Sequence, residues 1–286
     1  MEQIDTKLKS KSRSTITQTQ TIVFLSLVPI VFYLYKVLQK RRHYRRLKIV
    51  QQRAIAEYAE QFQLTADDPQ SERLSFAEPL AVIPQFLTDK SFQRLHDEIV
   101  ELGQTERSYF PIHKQGGTVA YETLHEYAPR VVGFFHNEAL RNFISQIVGE
   151  PVYPSPIHDQ SACSLLFYTQ PGDHINWHYD HNFYNGRHFT VLLPIVNQQN
   201  DTPEELSSAQ LMTKQGQMEQ VVSSAPNTLV LFEGAKVLHK VTRLAPNETR
   251  IMLSMTFVTT PNASLIKAMV RRIKDVAFFG IRALWT

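Results

Sequence analysis

Cysteine is nearly absent from this 286-residue chain, with Cys163 standing alone. One thiol excludes an intrachain disulfide, a thiolate metal cluster and a CxxC redox pair, and it favours a reducing compartment. An excess of one charge sign is also lacking: 30 Lys and Arg against 27 Asp and Glu leave a net charge of +3. The basic residues gather at the two ends instead of forming a stripe with interleaved aromatics, so nucleic acid is not an expected partner. There is no internal repeat and no long low-complexity segment, which sets aside solenoids and disordered arrays. What is present is an ordinary apolar fraction of 43%, enough for one substantial core with appendages.

Long hydrophobic runs are equally scarce, with one exception. Residues 1–21 are polar and carry Lys7, Lys9, Lys11 and Arg13, and residues 22–38 (Ile22 to Leu38) are almost wholly apolar, with Lys36 near the end. The length is at the lower limit for a bilayer span. No small-residue cleavage site follows, but Lys40, Arg41, Arg42, Arg45, Arg46 and Lys48 do, so the pattern predicts an N-terminal transmembrane helix in preference to a signal peptide. More basic residues follow the run than precede it, which orients a single-pass anchor with the rest of the chain on the cytoplasmic side. The bilayer is then an expected partner. Residues 39–75 read as a basic juxtamembrane helix, with Ile55, Tyr58, Ala59 and Phe62 at helical spacing, and a linker broken by Asp67-Asp68-Pro69.

A globular domain is expected over residues 76–260. Leu80 to Leu87 reads as a strand, Thr88 to Leu102 as a capped helix and His136 to Val148 as another. From Ser164 onward short β-rich runs dominate: Leu165 to Thr169, His188 to Val196, Val221-Val222, Thr228 to Phe232, Val237 to Val241 and Arg250 to Thr259. A mainly β fold with flanking helices follows. Residues 261–286 form a basic amphipathic helix, whose apolar side can face either lipid or the domain.

Within this frame, Trp177-His178-Tyr179-Asp180 is followed by a remote His239 and then by Arg250 at the start of an apolar strand. On an extended segment residues two apart share a side, so His178 and Asp180 can face one ion while His239 arrives from another strand. Two imidazoles and a carboxylate suit iron and leave positions open for a cosubstrate and dioxygen. A His two residues before an Asp is common by chance, so the wider pattern has to carry the reading. Arg250 can grip a carboxylate in bidentate fashion. Arg243 competes for that role but precedes the Pro246-Asn247 turn. His174, His181 and His188 crowd the pair without a carboxylate two residues on, and Trp177 and Tyr168 also admit a reading as core aromatics.

The run Phe167-Tyr168-Thr-Gln-Pro-Gly172 before the pair, Phe189-Thr-Val-Leu-Leu-Pro-Ile-Val-Asn197 after it, and the Leu-Phe-Glu-Gly, His-Lys-Val and Arg elements beyond make the chain resemble the iron(II)/2-oxoglutarate-dependent dioxygenases. The resemblance is to the prolyl-4-hydroxylase-like branch, over roughly residues 76–260. It implies a double-stranded β-helix (jelly-roll) core. His178, Asp180 and His239 become iron ligands, Arg250 the partner of the distal 2-oxoglutarate carboxylate, and Tyr168 a further holder of that cosubstrate. Iron(II), 2-oxoglutarate and dioxygen are the implied cofactors, with ascorbate as an accessory reductant. The implied activity is hydroxylation of a C–H bond of a lipidic substrate or of a prolyl-type site in a membrane-associated protein. Because halogenating relatives replace the carboxylate with a small residue, Asp180 favours hydroxylation. A membrane-tethered binding protein that kept the fold and lost turnover is the alternative. Ser207-Ser208-Ala209-Gln210-Leu211 departs from the family's usual element at that place.

Overall fold

The computed structural model describes residues 31–65, 80–102, 106–110 and 114–279. The chain divides into two units, residues 1–46 with 285–286, and residues 47–284. In the first, the described residues 31–46 belong to a helix, α1 (31–58). The expected transmembrane helix at 22–38, and with it the single-pass membrane localisation, is overturned: among the described residues no helix is long and apolar enough to cross a membrane. The physical reason is that α1, described from residue 31, carries Lys36 and then Lys40, Arg41, Arg42, Arg45 and Arg46, so its described part holds no apolar stretch as long as a bilayer is thick. Residues 22–30 of the expected span lie outside the described residues.

The larger unit begins at Leu47. Leu47, Ala54 and Phe62 are buried, and the Phe62 ring packs on Phe134 with centroids 5.2 Å apart. The stretch expected to be a juxtamembrane helix and linker thus contributes to the core, although the expected start near residue 76 lies outside the described residues. The remaining elements are β1 (Leu80–Ile83), α2 (Asp89–Glu101), β2 (Glu106–Phe110), β3 (Lys114–Val119), α3 (Tyr121–Tyr127), α4 (Pro129–Phe135), α5 (Glu138–Val148), β4 (Tyr153–Pro154), β5 (Cys163–Tyr168), β6 (His174–His178), β7 (His188–Gln199), β8 (Leu211–Gln215), β9 (Met218–Val222), β10 (Leu229–Glu233), β11 (Leu238–Val241), β12 (Glu248–Val258) and α6 (Leu265–Phe279). Most of the expected strands appear within a residue or two. Strands β2, β3, β4 and β8 were not expected; in β3, Lys-Gln-Gly-Gly-Thr-Val carries two glycines that weaken a strand signal.

The strands pair in the order β1-β10-β7-β12-β5-β3-β6-β11-β8-β9, with β2 on β3 and β4 on β12. All registers are antiparallel. This rolled, mainly β sheet agrees with the expected jelly roll. Two-residue alternation decides what each face holds. On β5 and β12, Cys163, Leu165 and Phe167 with Ile251, Leu253, Met255 and Phe257 join the core shared with the helices. The intervening Tyr168 and Met252 join a second core, and Arg250, cross-strand from Tyr168, shares their side.

Helix α5 starts where Asn137 Oδ1 accepts from the Leu140 amide at 2.7 Å and ends at left-handed Gly149. Helix α6 uses its sides in an order that composition does not suggest. Arg271 and Asp275 are buried while Leu265 and Ile266 are 91% and 73% exposed. Lys274 Nζ donates to Ser161 Oγ at 2.8 Å and lies 3.7 Å from Asp159 Oδ1, and Lys267 Nζ donates to the Tyr184 carbonyl. The helix therefore meets the domain through its polar residues.

Asn227 ties the segment after β1 to the sheet: its Nδ2 donates to Leu87 O at 2.7 Å and its Oδ1 accepts from Leu87 N at 2.9 Å, with its own φ at 61°. Asn227→Ala loses both buried bonds and places alanine in the left-handed region. The expected destabilisation is about 3 kcal/mol, measured as a lowered urea midpoint with unchanged slope.

Candidate active site

His178 ends β6 and stands opposite His239 of β11 in the strand register, with ring centroids 4.1 Å apart. Each ring is oriented in the same way. His178 Nδ1 lies 2.8 Å from Asn176 O and His239 Nδ1 3.0 Å from Val237 O. A carbonyl only accepts, so Nδ1 carries the proton and donates, and the Nε2 lone pair is left facing Asp180. The Nε2 atoms lie 3.7 Å and 4.0 Å from the two Asp180 oxygens. One ligand atom from each residue falls within 4.8 Å of the others, so the donor set can hold one transition-metal ion on a single face.

The carboxylate is fixed from two sides. Thr190 Oγ1 donates to Asp180 Oδ2 at 2.5 Å, and the Asp180 amide donates to Gly234 O at 3.0 Å. A Cβ at residue 234 would sit 2.6 Å from Thr190 Oγ1 and 2.7 Å from Asp180 Cβ, so only glycine permits this approach. Burial opposes ionisation of Asp180, but the His239 and His178 rings in their protonated form and the Thr190 hydroxyl outweigh it and hold the carboxyl below the usual range.

Two cavities meet at the triad. A small one of about 60 Å³ is lined by His178, Asp180 and His239 together with Tyr168 and Arg250. Arg250 is fully buried. Its Nη1 donates to Ala209 O at 3.1 Å, while its Nε and Nη2, and the Tyr168 hydroxyl, have no hydrogen-bond partner among the described residues. Burial lowers the Arg250 pKa to about 10, which still leaves it charged at neutral pH. A buried guanidinium with two unmatched donors fits an incoming carboxylate. The second cavity, about 410 Å³, shares His178, Asp180, Leu166, Ile175 and Ser254 with the first and extends to Phe183 and to Val270, Ile273 and Lys274 of α6.

All five residues expected at the site thus converge. Arg243, the competitor of Arg250, is exposed. His174 Nδ1 donates to Gly172 O at 2.7 Å. His181 stacks on Phe183 at 5.9 Å. His188 is buried beside the larger cavity and stacked on Tyr184 at 6.3 Å; burial lowers its pKa. Trp177 points to Lys240, whose Nζ lies 4.3 Å from its ring. Ala209, in the segment that departs from the family pattern, supplies the carbonyl held by Arg250. Thr190, and Lys114 in the wall of the larger cavity, were not legible as site residues, because nothing in their local sequence reveals which strand faces they share with the triad.

Residues 64–272 match the family model HalD, Halogenase D. The chain belongs to that family. No curated protein matches it in sequence. Among solved structures, it is similar to a 2OG-Fe(II) oxygenase family oxidoreductase from Burkholderia pseudomallei at 13% identity, covering 71% of this chain and 97% of that one with a TM-score of 0.55. It is also similar to the non-heme alpha-ketoglutarate-dependent epimerase SnoN of nogalamycin biosynthesis, at 11% identity, 67% and 82% coverage and a TM-score of 0.53. AviO1 from Streptomyces viridochromogenes Tue57 gives 13% identity, 70% and 100% coverage and a TM-score of 0.52. These likenesses bear out the fold expected from the sequence, that of the iron(II)/2-oxoglutarate oxygenases. Within a family described as a halogenase, this member carries a carboxylate, Asp180, in its triad.

Gly234→Ala is expected to cost stability, because Asp180 Cβ, 2.7 Å from the added methyl, moves only with its main chain, and to weaken binding of a divalent transition metal by about 10- to 100-fold. Calorimetric titration with manganese(II), beside a circular dichroism check of folding, measures both.

Proposed function

We propose that this family member is an iron(II)- and 2-oxoglutarate-dependent hydroxylase acting on a C–H bond of a small molecule with an apolar body. The observation that carries the reading is the small cavity whose wall holds both the three metal-type donors and the unmatched Arg250 guanidinium and Tyr168 hydroxyl. His178, Asp180 and His239 would hold the iron, and Arg250 with Tyr168 would receive the distal carboxylate of 2-oxoglutarate. Iron supplies oxygen activation coupled to conversion of 2-oxoglutarate to succinate and carbon dioxide. The chain's own part is to fix the imidazole tautomers through Asn176 O and Val237 O and to orient the carboxylate through Thr190.

Asp180 argues for hydroxylation over halogenation. Its side chain occupies the position that halogenating relatives leave to a small residue for halide. Substrate size is argued from the larger cavity, whose roughly 410 Å³ and walls of Leu166, Ile175, Phe183, Val270 and Ile273 suit a mid-sized apolar body better than a folded protein surface. The alternative of an inactive binding protein leaves the complete donor set and the unmatched Arg250 without a purpose.

The direct test is succinate formation from 2-oxoglutarate with iron(II), ascorbate and oxygen. Wild type is expected to turn over, uncoupled where no substrate is supplied, and His178→Ala to be inactive. Arg250→Lys is expected to raise the KM for 2-oxoglutarate about 10- to 100-fold, because one ammonium replaces a planar two-point donor. Chloride in excess is expected to leave products free of halogen. Absence of both 2-oxoglutarate binding and turnover in the folded wild type would contradict the reading.

A further inference from the structure

The larger cavity contains a charge that the chemistry above does not use. Lys114 opens β3, and its side chain lines this cavity together with Thr118, both on the face that also carries Leu166 and Ile175 as cross-strand neighbours. It is 6% exposed. Its Nζ donates to Thr118 Oγ1 at 2.5 Å, and among the described residues no carboxylate forms an ion pair with it. The other lysine of the cavity, Lys274, is already matched: Asp275 Oδ1 lies 3.0 Å away and Asp159 Oδ1 3.7 Å away. Asp159 in turn accepts from the Tyr184 hydroxyl at 2.7 Å. Among the described residues, the cavity therefore holds one ammonium whose only hydrogen-bond partner is a hydroxyl.

We propose that Lys114 anchors the substrate through a carboxylate group, so that the cavity selects a monocarboxylic acid with an apolar body reaching toward the metal triad. The inference rests on the reading given under Proposed function. A buried ammonium without a counter-charge is unfavourable, and a ligand that brings the missing negative charge relieves it while the Thr118 hydroxyl adds a second hydrogen bond. Burial lowers the Lys114 pKa to about 8, so at neutral pH the anchor is mostly charged. One unmatched cation calls for one negative charge, which favours a carboxylate over a doubly charged phosphate. The neighbouring walls, Leu166, Ile175 and Phe183 with Val270 and Ile273 of α6, offer apolar contact to the rest of the molecule. Because Ile175 stands opposite Lys114 and lies three residues before His178, a chain anchored at the lysine runs along β6 to the triad. The lysine is a specificity residue, with no part in bond breaking.

The test measures binding of octanoate, 1-octanol and octylamine to the full chain loaded with manganese(II) and saturating 2-oxoglutarate, which keeps Arg250 occupied. Octanoate is expected to bind at least about 10-fold more tightly than 1-octanol, corresponding to one charge-assisted contact, and octylamine most weakly. Lys114→Met is expected to erase the preference for the acid, and Lys114→Arg to keep it. Equal or tighter binding of octylamine, binding of none of the three, or an unchanged preference in folded Lys114→Met would overturn the proposal. If Lys114→Met fails to fold, the ranking in wild type and Lys114→Arg decides alone. Metal and 2-oxoglutarate binding are recorded in the same samples. Their failure counts against the dioxygenase reading, whereas their success with no acid preference counts against the anchor only.

Discussion

The antiparallel pairing of β6 with β11 is the contact on which the site depends. It sets His178 directly opposite His239, and a backbone carbonyl two residues before each histidine takes the Nδ1 proton. The main chain of the sheet thus chooses the tautomers. Once both Nε2 lone pairs face inward, the carboxylate of Asp180 completes a set of donors spaced for one ion. Thr190 of β7 holds that carboxylate, and Gly234, just after β10, holds the Asp180 main chain, so several strands of one sheet contribute to a cluster a few ångströms across.

The same sheet separates two tasks. Alternation along β12 sends Ile251, Leu253, Met255 and Phe257 to the helix-backed core and leaves Arg250, Ser254 and Thr256 to the cavities. Stability and function are therefore built from the same strands without competing for the same residues. The cost of burying the Arg250 guanidinium with unmatched donors is carried by a large core, and an arriving carboxylate removes much of it. The third donor of the cluster, Asp180, is a protein oxygen.

Much of the site was legible before the structure, for identifiable reasons. His178 and Asp180 lie two apart on an extended segment, and the strand patterns after Gly234 and before Arg250 place the remaining residues on strands that a rolled sheet brings together. The local sequence was less informative where tertiary contacts decide. β3 was hidden by Gly116 and Gly117, and with it Lys114, whose burial depends on the strands beside it. Thr190 lies in an apolar run and declares itself only through its distance to Asp180. The apolar run ending at Leu38 suggested an anchor, yet α1 continues into a series of cations, and the amphipathic pattern of α6 did not reveal that its polar side meets the domain.

The central claim is that the triad and Arg250 form one binding unit for a metal and a dicarboxylate. Calorimetric titration of 2-oxoglutarate into wild type and Arg250→Leu, each with and without manganese(II), tests it most directly. The account predicts that the metal tightens 2-oxoglutarate binding and, reciprocally, that 2-oxoglutarate tightens metal binding. Arg250→Leu is predicted to weaken the dicarboxylate strongly while leaving metal binding in its absence. Binding of 2-oxoglutarate that is indifferent to both the metal and Arg250 would contradict it.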